Sequence, residues 1–177
     1  LFEKRCIIRK TAVVIFIAFF LPACLGYHFR GYEDSLPADI KTVAIKPFGN
    51  RTYESQAENY MVNALVNEFS RSKRLTVVAV ENADLVISGA VLAIDTSSIS
   101  YIGDDRTYEY RVKVKIEVEV RDRRRDEVVW QNNNMSEVEE YHTSGVPNDV
   151  QNQKRIAIRK TCKVLAENIH DRLLIDF

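Results

Sequence analysis

Cys24 is the residue of this chain best placed for a covalent reaction, because of what precedes it. Lys4, Arg5, Arg9 and Lys10 make a basic start, Thr11 to Leu21 is almost unbrokenly apolar, and Leu21-Pro22-Ala23 leads into the thiol. The apolar run is shorter than the roughly 20 residues of a spanning helix, so it reads as an export signal. An ordinary signal ends in small residues of the A-x-A kind. A cysteine directly after Leu-x-Ala instead resembles a bacterial lipobox. The chemistry it implies is cleavage before Cys24, then acylation of the sulfur and of the new amino group. Each buried CH₂ contributes about 0.8 kcal/mol, so two or more acyl chains hold a protein on a membrane where one is marginal. Leu25 stands where an Asp would favour the inner membrane, which points to lipid anchoring on the periplasmic side of the outer membrane.

No second covalent or catalytic chemistry stands out. His28, His142 and His170 fall in three different elements without metal-ligand spacing. There is no G-x-S-x-G, no phosphate-cradling glycine loop and no CxxC. The expectation is a protein that is not an enzyme and needs no cofactor or metal beyond the lipid on Cys24. Cys6 leaves with the signal and Cys24 takes the lipid, so only Cys162 remains and no intramolecular disulfide is available. Four bases and one acid (Glu3) also leave with the signal, which takes the neutral chain to −3. No basic excess argues for nucleic acid, and an anionic ligand must be met by a local patch.

Such a patch needs elements to hold it. Residues 25–40, with Gly26, Gly31 and Pro37, read as an extended lead from the anchor. The expected division is a signal over 1–23, an anchored segment over 24–40 and a single domain over 41–177. Thr42 to Ile45 is a short apolar strand stopped by Pro47, and Gly49 to Thr52 a turn. Ser55 and Glu58 have capping-box spacing, followed by a helical stripe of Ala57, Met61, Ala64, Leu65 and Phe69 with Tyr60 on its flank. Leu75 to Val80 is a second apolar strand candidate. Asp84 to Ile99 is a longer one, with Val86, Ser88, Ala90, Leu92 and Ile94 on one face and Leu85, Ile87, Gly89, Val91 and Ala93 on the other. Both faces are apolar at its start, which suits a central strand. Gly89 suggests close backbone approach or a bulge.

The clearest period follows. Tyr108, Tyr110, Val112, Val114, Ile116, Val118 and Val120 alternate with Glu109, Arg111, Lys113, Lys115, Glu117 and Glu119, the pattern of a strand with one buried and one wet face. A charged turn at Asp122 to Asp126 leads to a return strand, Val128 to Tyr141, carrying Trp130. Asn148 and Gln151 have capping-box-like spacing before a last helix with Ile158, Cys162, Leu165, Ile169 and Leu173 on one face. The fold class expected is α+β. It is a two-layer α/β sandwich with two amphipathic helices on one face of a mixed, largely antiparallel four- to five-stranded sheet.

Three places are suited to binding. Arg111, Lys113 and Lys115 form a cationic group on the wet face of the alternating strand. The turn from Tyr101 to Arg106 brings aromatic, apolar and cationic groups together. The tract Gly26-Tyr27-His28-Phe29-Arg30-Gly31 lies beside the lipid, where its aromatics can meet the domain, the membrane or a partner.

The same tract, from Cys24-Leu25-Gly26 through Gly31, resembles the lipopolysaccharide-assembly lipoprotein family, LptE. Leu36-Pro37, Ile40 to Ile45, Ala83-Asp84-Leu85, Asp95-Thr96, Tyr108-Glu109-Tyr110 and Val129-Trp130 extend the resemblance over the whole mature chain, in order and spacing. It implies a non-enzymatic outer-membrane subunit that plugs a large LptD-type β-barrel and helps place lipopolysaccharide in the outer leaflet. It also implies two helices on a four-stranded sheet. In the family a basic residue near the central hairpin turn is associated with lipopolysaccharide, and Arg106 is the nearest cation here. Arg106, Arg111, Lys113 and Lys115 are therefore the candidate lipopolysaccharide contacts, and Tyr27, Phe29, Arg30 and Tyr101 the candidate partner contacts. The Val43 to Phe48 segment in its strand–helix–strand setting is also similar to CsgG-like secretion subunits and LpoB-like activators of cell-wall synthases. Copurifying partners separate these readings, and activity lost with a single carboxylate or histidine would favour an envelope enzyme.

Overall fold

Strict alternation of apolar and charged side chains organises the domain around one long strand. The computed structural model describes residues 39–102 and 107–175, and the expected signal and most of the lead segment lie outside them. In chain order the elements are β1 (Thr42–Ile45), β2 (Gly49–Asn50), α1 (Ala57–Ser72), β3 (Thr76–Val77), a 3₁₀ turn (Val80–Asn82), β4 (Leu85–Ile102), β5 (Thr107–Asp122), β6 (Glu127–Thr143) and α2 (Pro147–Ile175). The sheet runs β3-β1-β4-β5-β6, with β2 also on β4. The β1, β2 and β3 pairings are parallel, and β4-β5-β6 is an antiparallel meander. This is the expected two-layer α+β sandwich, with β4 central and β3 reduced to two residues.

Val112, Val114, Ile116, Val118 and Val120 of β5 are buried beneath the helices. α1 supplies Ala57, Met61, Leu65 and Phe69 at four-residue spacing. From α2 come Ile158, Cys162, Leu165, Ile169 and Leu173, all buried as their periodicity predicts. Burying each of the larger side chains contributes about 1.5–3 kcal/mol.

Four local expectations are corrected. Glu58 does not close a capping box with Ser55: α1 starts at Ala57 behind a left-handed Gln56 (φ 67°), and no side chain caps it. Glu58 instead accepts a bond from Asn50 Nδ2 at 2.7 Å, so the loop before the helix has claimed it. At α2 the bonds fall to Asp149 rather than to Asn148 and Gln151. Its carboxylate accepts from the Ser144 N–H (2.7 Å) and hydroxyl (2.8 Å), and Pro147 opens the helix, where its missing N–H costs nothing. Gly49–Asn50, expected as a turn, pairs with Ala90 and Val91, because the Arg51 N–H continues the ladder to the Val91 carbonyl at 2.9 Å.

The fourth correction concerns the faces of β4. A bulge between Val91 and Ala93 inserts one residue, so Ile94 faces Val114 and packs on the core although its parity with Val86 predicted the opposite side. The far face of the sheet is not polar throughout either. Ala44, Ala83 and Val86 form a second small core there under Val78 and Val80.

Two contacts fix the parallel half. Asp84, at the head of β4, accepts from the N–H groups of Lys41 (2.9 Å) and Thr42 (3.0 Å) and from the Thr42 hydroxyl (2.8 Å). Its own N–H donates back to Thr42 Oγ1 at 2.9 Å. Further along, Phe48 lies on Gly89: a Cβ there would sit 2.3 Å from the Glu117 carbonyl oxygen and 2.8 Å from the Phe48 ring. Close approach, not a bulge, is the reason for this glycine.

Gly89→Ala should therefore cost about 2–3 kcal/mol by overpacking against backbone that cannot yield, read as a lowered urea midpoint. The backbone N–H of Lys41, followed by the Thr42 donors, holds the Asp84 carboxyl below its ordinary 3.8. A depressed folded value means that this contribution is full above the unfolded value and is lost as pH falls through the folded one. Asp84→Asn should lower stability at neutral pH by about 1–2 kcal/mol and flatten the loss below about pH 4. An unchanged acid limb in chemical denaturation would contradict the assignment.

Candidate functional site

Side chains of β5 that do not enter the core form the middle row of a wide, solvent-facing surface, with β4 and β6 on either side. Cross-strand register sets their neighbours. Arg111 lies between Ser97 and Glu140, Lys113 between Asp95 and Val138, and Lys115 between Ala93 and Ser136. Antiparallel neighbours share a face, so each trio is a contiguous strip.

The cations in these strips are not equivalent. Arg111 gives both Nε (3.1 Å) and Nη2 (2.5 Å) to Glu140 Oε1, which offsets its charge. Glu117 is held by Arg51 at 2.8 Å, Glu119 by Arg121 at 3.0 Å, and Glu109 lies 3.5 Å from His142 Nε2. Among the described residues Lys113 and Lys115 have no ion-pair partner. Two alternate positions along a strand stand about 6.5–7 Å apart. Val138, nearly half exposed, borders Lys113. Two uncommitted ammonium groups beside an aliphatic patch suit a ligand carrying phosphate next to hydrocarbon. Lysine meets such a ligand as a compact point charge, without the bidentate geometry of arginine.

The remaining candidates are not brought into this surface. Cys24, Tyr27, Phe29, Arg30 and Arg106 lie outside the described residues. Tyr101 lies on β4 near the hairpin end, in register with Tyr108. Tyr110 and Tyr141 stack on the helix side, centroids 5.5 Å apart, so this pair is core.

Cys162 and His170, the other groups able to do chemistry here, are packed into the core. Cys162 is free and buried, and burial pushes its thiol up to about 12, so it stays protonated and packs as a small apolar residue. His170 is buried edge-on to Phe69, with Nδ1 3.2 Å from Asp171 Oδ1. Among the described residues no group of three His, Cys, Asp or Glu is arranged to hold a metal ion. No helix among them is long and apolar enough to cross a membrane.

Two surfaces carry no signal in the hydrophobic pattern. A groove of about 480 Å³ runs between α1 and α2, where Arg159 lies 4.9 Å over the Tyr60 ring and Asn63, Asn67 and Lys163 line the walls. The loop after β2 projects Tyr53 into solvent. Asn50-Arg51-Thr52 is a turn signal that locates this loop, but nothing in residue spacing foretells its rigidity.

The family model LptE, lipopolysaccharide-assembly, matches residues 40–173. No curated protein matches the chain. Among solved structures, a protein from Xanthomonas campestris is similar with a TM-score of 0.57 and 9% identity, covering 80% of this chain and 88% of its own. A Helicobacter pylori protein, described as a neuraminyllactose-binding hemagglutinin homolog, has a TM-score of 0.50 and 12% identity over 83% of this chain and 89% of its own. A minor lipoprotein from Acinetobacter baumannii has a TM-score of 0.43 and 12% identity over 76% and 92%. At such identities the first two likenesses concern the fold alone.

Proposed function

Because this chain belongs to the LptE lipopolysaccharide-assembly family, a non-enzymatic lipoprotein family, we propose that it is the outer-membrane lipoprotein subunit of a lipopolysaccharide translocon. In this reading residues 1–23 are removed, lipid on Cys24 holds the protein to the periplasmic side of the outer membrane, and the 41–177 domain plugs and supports a large LptD-type β-barrel. Together the two assist insertion of lipopolysaccharide into the outer leaflet.

The observation that carries this reading is the exposed face of β5. A large outer-membrane barrel has a polar interior. A plug inside it must keep its apolar groups in its own core and show the barrel charged and hydroxylated side chains. The sandwich meets that demand, with valines and isoleucine of β5 beneath the helices and Arg111, Lys113, Lys115, Glu117 and Glu119 on the other side. Lipopolysaccharide is phosphorylated and acylated, and Lys113 and Lys115 offer uncommitted positive charge beside Val138. Arg111 is better cast as a support, since Glu140 already holds it. Arg106 completes the proposed contact set, with Tyr101, Tyr27, Phe29 and Arg30 as contacts to the barrel.

Reversing both free charges tests the ligand half of the proposal. Lys113→Glu with Lys115→Glu should cost no more than about 1 kcal/mol of stability, most of it from the like charge set opposite Asp95. Affinity of the purified protein for lipopolysaccharide should fall about tenfold or more, as two attractions of about 1 kcal/mol each become repulsions. Equal affinity of variant and parent in a titration would remove this face from the account.

A further inference from the structure

The loop between β2 and α1 commits most of its polar groups to holding one aromatic ring in water. Asn50 organises it. Its Nδ2 donates to the Glu54 carbonyl (2.9 Å) and to the Glu58 carboxylate (2.7 Å). Its Oδ1 accepts from the Thr52 N–H (2.9 Å) and hydroxyl (2.8 Å), and Thr52 Oγ1 in turn accepts from the Glu54 N–H at 3.2 Å. On the outer sides, Arg51 is tied to Val91 through its N–H (2.9 Å) and to Glu117 through its guanidinium (2.8 Å), and Lys154 of α2 holds Glu54. Gln56 closes the loop in the left-handed region, at φ 67°, which a side-chain-bearing residue adopts only at a cost.

Arg51 and Thr52 before Tyr53 and Glu54 after it are thus held, and Tyr53 itself is fully exposed, at 108% of its reference area. The next most exposed large apolar side chain among the described residues, Val146, reaches 57%. A single exposed hydrophobic residue needs no explanation by itself, and it is the held loop beneath it that sets Tyr53 apart. A fully solvated aromatic on a loop immobilised from both sides is the arrangement of an interface anchor. The ordering cost of binding is met in advance, and a tyrosine adds a large contact area for two side-chain torsions.

The charges decide what kind of partner the anchor fits. Arg51 is neutralised by Glu117 and Glu54 by Lys154, so the loop offers no uncommitted cation to a phosphorylated lipid surface. A neutral ring with one hydroxyl suits a protein pocket that is apolar in its depth and has a hydrogen-bond acceptor at its end. Tyrosine is enriched at such positions in protein interfaces. We propose that the Asn50–Gln56 loop is a preformed docking element for a protein partner, with Tyr53 as its anchor. The inference stands on the loop's geometry and not on the assembly role.

The test places the photo-crosslinker p-benzoylphenylalanine at position 53 of the full-length lipidated protein in its native cells, with exposed Lys73 as the control position. One discrete polypeptide adduct at position 53, absent at 73, is expected. Tyr53→Ala should keep the thermal midpoint and lower recovery of that same polypeptide at least tenfold. Asn50→Ala, which frees the loop and leaves the ring, should lower it several-fold. Adducts with lipid alone, no adduct, or unchanged recovery with Tyr53→Ala would overturn the inference. An adduct with a protein other than a β-barrel would uphold the docking element as fully as one with a barrel.

Discussion

A side-chain period of two leaves a strand only two choices of face, and in this protein β5 makes that choice for the whole domain. Val112, Val114, Ile116, Val118 and Val120 all point to one side. A slip of one residue against β4 or β6 would bury Arg111, Lys113, Lys115, Glu117 and Glu119 and expose the valines, at a cost far above the marginal stability of a domain this size. The register with both neighbours is therefore held by hydrophobic burial. Once it is held, the helices have one place to dock and the charged surface has one place to be. Core and candidate site are two consequences of the same alternation.

That relation explains how much could be read from residues alone. The two helical stripes and the β5 period are long, so the two-layer sandwich and most of its core were legible. Ile94 was not, because a bulge after Val91 changes parity and leaves no mark in composition. Both expected capping boxes failed because spacing does not identify a bond's true acceptor: Glu58 was taken by Asn50, and Asp149 took the work of Asn148 and Gln151. The cationic group on β5 was visible as three residues. Only the cross-strand neighbours separate Arg111, bound to Glu140, from Lys113 and Lys115. Tyr53 was invisible for the same reason, since its setting depends on bonds that cross from Asn50 to Glu58 and from Lys154 to Glu54.

Some of the motifs that carry the family resemblance lie away from the residues proposed to meet ligand, while Asp95 lies directly beside Lys113. Thr42 and Ala83-Asp84-Leu85 belong to the lock at the heads of β1 and β4, where four hydrogen bonds join the segment entering the domain to its central strand. Phe48 on Gly89 continues the same seam. These contacts build the parallel half, which covers a second small core. The antiparallel half, by contrast, presents the charged strips. One half takes in the chain from its N-terminal side and the other offers a surface, a division that suits the proposed role of a protein held to one component while it supports another.

The central claim, that this sandwich is the lipoprotein partner of a large outer-membrane barrel, is tested most directly by purifying the lipidated protein from its native envelope in mild detergent. The components that stay with it are then identified, and their stoichiometry measured, by mass spectrometry. The account predicts one large β-barrel in equimolar amount, bound through the domain and retained when the detergent is exchanged. A cell-wall synthase in its place, or a homomeric ring alone, would contradict it.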